Sequence, residues 1–227
     1  MSPVTRLPAL LPLFVHPTAD PESWRAAERA APGLTVVVRN PEDPAAASAL
    51  ERLRDAGVTV LGHVDVAFAT DPVAEVLRRV RRWTGHRVTG VFLDRVPTSP
   101  FSAGPVAAAV RAARRAGMRT VLNPGTATDP LYRELGGPVC TFEGTWTEYW
   151  RWDTTGSRPG DGHLVHSVPR QSQAAAWALL RERGAGFGLV TEHTAPDPYG
   201  RAPAWLAGRS RWPGRRRARR HGAVATA

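Results

Sequence analysis

The sequence predicts a single-domain α/β fold, a (β/α)8 TIM barrel, and three observations predict it. Eight short runs rich in valine and leucine recur along the 227 residues, each bounded by Gly, Pro, Asn or Asp. Their starts lie 23, 25, 30, 30, 19, 24 and 24 residues apart, room for a strand, a helix of two to four turns and two short loops. The runs are also close to continuously apolar rather than alternating, as parallel strands covered on both faces should be. A chain that alternates β and α makes a doubly wound sheet or a barrel, and eight repeats favour the barrel.

The first run, Leu11–His16, is followed by Asp20-Pro21, a helix-start signal for Glu22–Ala31. Leu34–Asn40 and Thr59–Val66 are the second and third runs, and Asp71-Pro72 reads as an N-cap with proline at the first helical position of Val73–Trp83. Thr89–Arg95 is the fourth. Pro105 then precedes the helical pattern Val106–Ala116, which Gly117 terminates. The remaining runs are Arg119–Gly125, Pro138–Gly144, Gly162–Pro169 and Gly186–His193. From about Gly208 the pattern stops, so residues 1–208 are expected to form the barrel and 209–227 an Arg-rich, disordered tail.

Composition narrows the function classes. With 42% hydrophobic and 22% charged residues the chain is of globular type and can bury a sizeable core. No window approaches the ~18 uninterrupted apolar residues of a membrane helix, so no membrane span is expected. Leu7–Val15 is broken by Pro8 and Pro12 and lacks the shape of a secretory leader, so a cytoplasmic location is expected. The single cysteine, Cys140, excludes an intramolecular disulfide and a cysteine-rich metal site. The formal charge of +10 points to an anionic partner only at first sight. Seven arginines (Arg209, Arg211, Arg215, Arg216, Arg217, Arg219, Arg220) fall in the tail and leave +3 for the rest. All 30 basic residues are arginine, as a GC-rich coding sequence would produce without selection for phosphate contacts. Association with nucleic acid is therefore an alternative confined to the tail.

In a parallel barrel the chemistry gathers at the C-terminal ends of the strands. Here the runs end in His16, Asn40, His63 with Asp65, Asp94 with Arg95, Asn123, Glu143, His166 with Ser167, and Glu192 with His193. Helix capping accounts for some of these. Asp94 after Val91-Phe92-Leu93 and Glu143 after Cys140-Thr141-Phe142 are carried to the mouth by strands, and two rigidly held carboxylates are what glycosidic cleavage needs. Phe68, Trp146, Tyr149, Trp150, Trp152, Tyr199 and Trp205 lie beyond strand ends and read either as sugar platforms or as core. His16, His63 and His166 are too diffusely spaced for a metallohydrolase, no His-x-His follows the first run, and no lysine exists to be carbamylated. No metal and no cofactor is expected. Gly184-Ala185-Gly186-Phe187-Gly188 precedes the eighth run, the wrong face for a phosphate site, and no Gly-x-Ser-x-Gly elbow is present.

In order along the chain, Asn40-Pro41, Val60-Leu61-Gly62-His63-Val64, Gly90-Val91-Phe92-Leu93-Asp94-Arg95-Val96-Pro97, Leu122-Asn123-Pro124-Gly125-Thr126, Thr141-Phe142-Glu143-Gly144, Val165-His166-Ser167-Val168-Pro169, Val190-Thr191-Glu192, Pro198-Tyr199 and Pro203-Ala204-Trp205 resemble the spherulin-4 (spherulation-specific family 4) proteins. The resemblance runs from about Leu13 to Trp205. It implies a TIM barrel and an endo-acting glycoside hydrolase on a galactosamine-containing polysaccharide, with catalytic acids at Asp94, position 95 and Glu143. His63, Asp65, Arg95, Asn123, His166 and Tyr199 are expected to line the substrate pocket. This chain departs from the family pattern in carrying Arg95 where glutamate is common, and His63-Val64-Asp65-Val66 where Tyr-Val-His-Thr is common. A cation at 95 is expected to depress the pKa of Asp94 or Glu143 if it lies near them, and Asp65 is the residue that could take over from the lost acid. Two readings follow: a glycoside hydrolase with an altered site, or a catalytically degenerate carbohydrate-binding barrel.

Overall fold

The computed structural model describes residues 7–30 and 33–207. The arginine-rich segment 209–227 lies outside the described residues. Eight strands run parallel: β1 Ala9–Pro12, β2 Leu34–Val38, β3 Thr59–Asp65, β4 Gly90–Asp94, β5 Arg119–Asn123, β6 Cys140–Thr145, β7 Gly162–His166 and β8 Phe187–Val190. They are ordered β5-β4-β3-β2-β1-β8-β7-β6. The remaining seam, between β5 and β6, is held by the bridge Leu122–Val139 and by Glu143 N–H donating to Gly125 O at 2.9 Å. The strands thus form a nearly closed TIM barrel, a single α/β domain.

Among the described residues eight α-helices accompany the strands: α1 Pro21–Arg29, α2 Pro44–Asp55, α3 Val73–Arg81, α4 Ala103–Arg115, α5 Leu131–Glu134, α6 Trp146–Arg151, α7 Gln173–Glu182 and α8 Ala204–Ala207. Asp20 caps α1 by accepting from Ser23 N–H, and Asp43 caps α2 by accepting from Ala46 N–H, each with proline directly after it. Asp71 does not cap α3. Its carboxylate pairs with Arg79 at 2.7 Å, and Pro72 occupies the cap position. The first strand also starts earlier than the apolar run and ends at Pro12; His16 lies in the loop beyond, bonded to Asp43 at 3.0 Å. In α4, Pro105 sits inside the first turn, where its missing N–H has no helical partner to lose.

Val36, Val37 and Val38 of β2, Val91 and Leu93 of β4 and Leu164 of β7 are buried together with Val76 and Val80 of α3 and Val106 and Val110 of α4. This two-sided burial is why the strands read as continuous apolar runs. Gly62 in β3 is required by close approach: a Cβ there would stand 2.1 Å from the Trp83 ring, whose Nε1–H donates to His63 O at 3.1 Å. Trp83 therefore lies flat on β3 and fixes the backbone at His63. Among the described residues no helix is long and apolar enough to cross a membrane.

A candidate active site at the barrel mouth

Strand register builds the site. Asp65, Asp94 and Asn123 pair laterally across β3, β4 and β5, so three polar residues meet at one level of the mouth. Glu143 arrives from β6 across the open seam. Gly125 stands beside it with φ of +68°, and a Cβ at that position would come within 3.3 Å of the Glu143 Cβ. Two residues past Glu143, Thr145 and Glu148 form a reciprocal capping box that starts α6 and fixes the strand exit.

The centre of the site is the amide of Asn123, itself buried. Its Nδ2 donates to Asp94 Oδ1 at 2.8 Å and to Glu143 Oε2 at 2.6 Å. Because one nitrogen serves both, those two oxygens are at most about 5.4 Å apart. Asp94 Oδ2 lies 2.9 Å from His63 Nε2, and its Oδ1 also accepts from the Arg95 backbone N–H at 3.0 Å. Glu143 Oε1 accepts from the Tyr199 hydroxyl at 2.6 Å. Asn123 Oδ1 is left buried without a partner, which follows from turning the donor end toward two carboxylates.

Electrostatics separates the two acids. Burial works to raise the Asp94 pKa, but the hydrogen bond and charge of His63, the Asn123 amide and the Arg95 N–H together bring it below the usual value. For Glu143 burial prevails: its pKa stands above the usual value despite the bonds from Asn123 and Tyr199, and the Asp94 charge adds to the rise. Burial and the neighbouring Glu143 push the Tyr199 phenol well up, so it remains protonated and donates.

Arg95 answers the expectation only in part. Its guanidinium turns away from both acids and grips Asp65 through Nε at 2.8 Å and through Nη2. Its backbone N–H bonds Asp94 directly, and its guanidinium charge is coupled to the Asp94 carboxylate more weakly than to Asp65. Asp65 is thereby held by Arg95 and by the Ala67 N–H at 2.7 Å, and is not free to replace a lost acid. Burial raises the Asp65 pKa, but these two partners bring it below the usual value. His166 is half-buried at the end of β7, where its Nδ1 meets Ser167 Oγ at 3.0 Å, and burial lowers its pKa. It lies toward Glu148 rather than in the Asn123 bridge.

The structure brings together His63, Asp94, Asn123, Glu143 and Tyr199, sets Asp65 and Arg95 at the adjacent rim, and leaves His166 aside. Two neighbours escaped the sequence reading. Phe14 packs edge-on to His63 and Tyr199, with centroids 5.1 and 6.0 Å away, and the Arg39 guanidinium lies over that ring, 3.6 Å from its centre. Both sit within or next to apolar runs, where an aromatic reads as core; the signal available was Arg39 directly after Val38 at a strand end. Among the described residues no group of three or more His, Cys, Asp or Glu side chains is arranged to hold a metal ion.

Comparison with known proteins adds three findings. The profile of the spherulation-specific family 4 matches residues 8–209. Among solved structures, Aspergillus clavatus Sph3 in complex with GalNAc is similar at 19% identity and a TM-score of 0.74, covering 89% of this chain and 95% of that one. The 3-dehydroquinate dehydratase of Aquifex aeolicus is similar at 11% identity and a TM-score of 0.53, covering 88% and 97%. No curated protein sequence matches the chain significantly.

Proposed function

The chain belongs to the spherulation-specific family 4, and on that premise we propose that it is a retaining glycoside hydrolase acting on a galactosamine-containing polysaccharide. The observation that carries this reading is the Asn123 bridge between two carboxylates whose pKa values are driven apart. Facing oxygens at most about 5.4 Å apart fit a retaining pair, with its ~5–5.5 Å carboxyl separation, better than the ~6.5–9.5 Å that leaves room for a water in inverting ones.

The split assigns the roles. Asp94, ionised and aimed by His63 and Asn123, attacks the anomeric carbon as the glycosidic bond breaks. Glu143, whose proton affinity burial raises, gives its proton to the departing oxygen. The Tyr199 hydroxyl, which donates to Oε1, can keep that bond to the carbonyl oxygen of the acid form. In the second half-reaction Glu143 takes a proton from water, the resulting hydroxide displaces Asp94, and the acid form is restored. The GalNAc complex of the similar Sph3 structure supports an amino-sugar substrate.

Incubating the protein with a galactosamine-rich polysaccharide and following reducing ends and anomer by NMR tests the reading. Release of product with retained configuration, lost in Glu143→Gln, is expected. An inverted product would refute the roles given to the pair. The departure at Arg95 favours a second reading, a barrel that binds the glycan without cutting it; measurable binding with no cleavage by the wild type would establish that one.

A further inference from the structure

Beside the carboxylate pair the backbone does something unusual. Ala67, Phe68 and Ala69, one residue beyond β3, all have positive φ, 52°, 53° and 62°, and Arg95, directly after Asp94, has φ of 53°. Left-handed backbone is disfavoured for every residue with a Cβ, and three such residues in a row occur only where the surroundings enforce them. The enforcing contacts are visible. The Val66 N–H donates to Asp94 O at 2.9 Å and the Phe68 N–H to Arg95 O at 2.7 Å, so the turn continues the β3–β4 ladder beyond the sheet. Asp65 accepts from Ala67 N–H and from Arg95, and the Thr70 hydroxyl donates to Ala67 O at 2.6 Å.

The product of this clasp is an exposed aromatic ring. Phe68 keeps 52% of its surface in solvent, with the Arg95 guanidinium 5.7 Å from the ring centre. An apolar ring held out in water by strained backbone, its N–H bonded to the carbonyl of the residue that follows Asp94, is placed for a ligand rather than for the core. We infer that Phe68 and Arg95 form a second sugar-binding subsite next to the Asp94–Glu143 pair, with the apolar face of a pyranose stacked on Phe68 and its hydroxyls within reach of the guanidinium. This rests on the proposed carbohydrate substrate and explains the cation at 95, which through Asp65 holds the turn that presents the ring.

Binding of GalNAc and of GalNAc oligosaccharides of two to six units, measured by calorimetry, tests it. For the wild type, affinity is expected to rise with chain length. Phe68→Ala should remove roughly tenfold of the affinity for the longest oligomer, the scale of one aromatic contact, and leave GalNAc itself within about twofold. Phe68→Trp should keep the length dependence, and Phe101→Ala, at a fully exposed ring outside the clasp, should leave it unchanged. Arg95→Gln should weaken the long oligomer in parallel with Phe68→Ala. Oligomer binding by Phe68→Ala equal to that of the wild type overturns the subsite while leaving the hydrolase reading intact. Loss of hydrolysis in Glu143→Gln without change in the length dependence separates the two claims, and failure of the wild type to bind any of these saccharides refutes both.

Discussion

His163 offers a sharp test of the packing below the mouth. It is fully buried at the start of β7, with the Tyr149 hydroxyl 2.8 Å from Nδ1 and Ser157 Oγ 3.2 Å from Nε2, and the Trp152 ring stands edge-on at 5.0 Å. Burial lowers its pKa from 6.5 to about 4. The neutral imidazole fits this network, accepting from the tyrosine and donating to the serine, whereas the imidazolium would lose the tyrosine proton as a partner. Above pH 6.5 the ring is neutral in both folded and unfolded chains and contributes no pH dependence. Between pH 6.5 and 4 the unfolded chain binds a proton that the fold refuses, so stability falls by about 1.4 kcal/mol per pH unit, about 3 kcal/mol in all. Below pH 4 both states are protonated and this loss stops. His163→Gln removes the titration while keeping an acceptor and a donor in the same space. Urea unfolding at intervals from pH 7 to 4 should show the wild type losing about 3 kcal/mol more than the variant over that window. Parallel acid slopes in the two proteins would refute the assignment of a neutral, desolvated imidazole.

Further expectations follow from individual contacts. Activity should fall as pH drops through the lowered pKa of Asp94, which must be ionised to attack, and as pH rises through the raised pKa of Glu143, which must be protonated; kcat/KM against pH checks both limbs. Tyr199→Phe removes a 2.6 Å bond that favours ionised Glu143, so the alkaline limb should move up by about one pH unit, the scale of a hydrogen bond to a charged group. Asp161→Ala leaves Arg133 without its buried partner and strips acceptors from Thr141 and Ser157; chemical denaturation should record a loss of about 3–5 kcal/mol. Gly62→Ala drives a methyl into the Trp83 ring and should depress the thermal midpoint sharply, with a red shift of tryptophan emission if that ring is displaced.

Arg95 shows where reading a sequence stops. The charge change at 95 was evident, and so was its capacity to disable a neighbouring acid. Its direction was not, because whether a side chain at a strand end turns to the next residue's pocket or to Asp65 thirty residues earlier depends on the left-handed backbone and on the loop it meets.

By itself the sequence determined the eight strands, their two-sided burial and the arrival of Asp94, Asn123 and Glu143 at one mouth, since a parallel barrel carries every strand end to the same face. It also placed Asp20 as a cap, because capping is decided within one helical turn. Asp71 was different: the same local pattern was present, but the carboxylate found Arg79 instead. Only the tertiary structure decided that Asn123 bridges the two acids, that Tyr199, fifty-six residues from Glu143, donates to it, and that Phe14 packs on His63. It alone separated the two carboxylates by pKa, because proton affinity answers to burial and to neighbours across space, and neither is written in the order of residues along the chain.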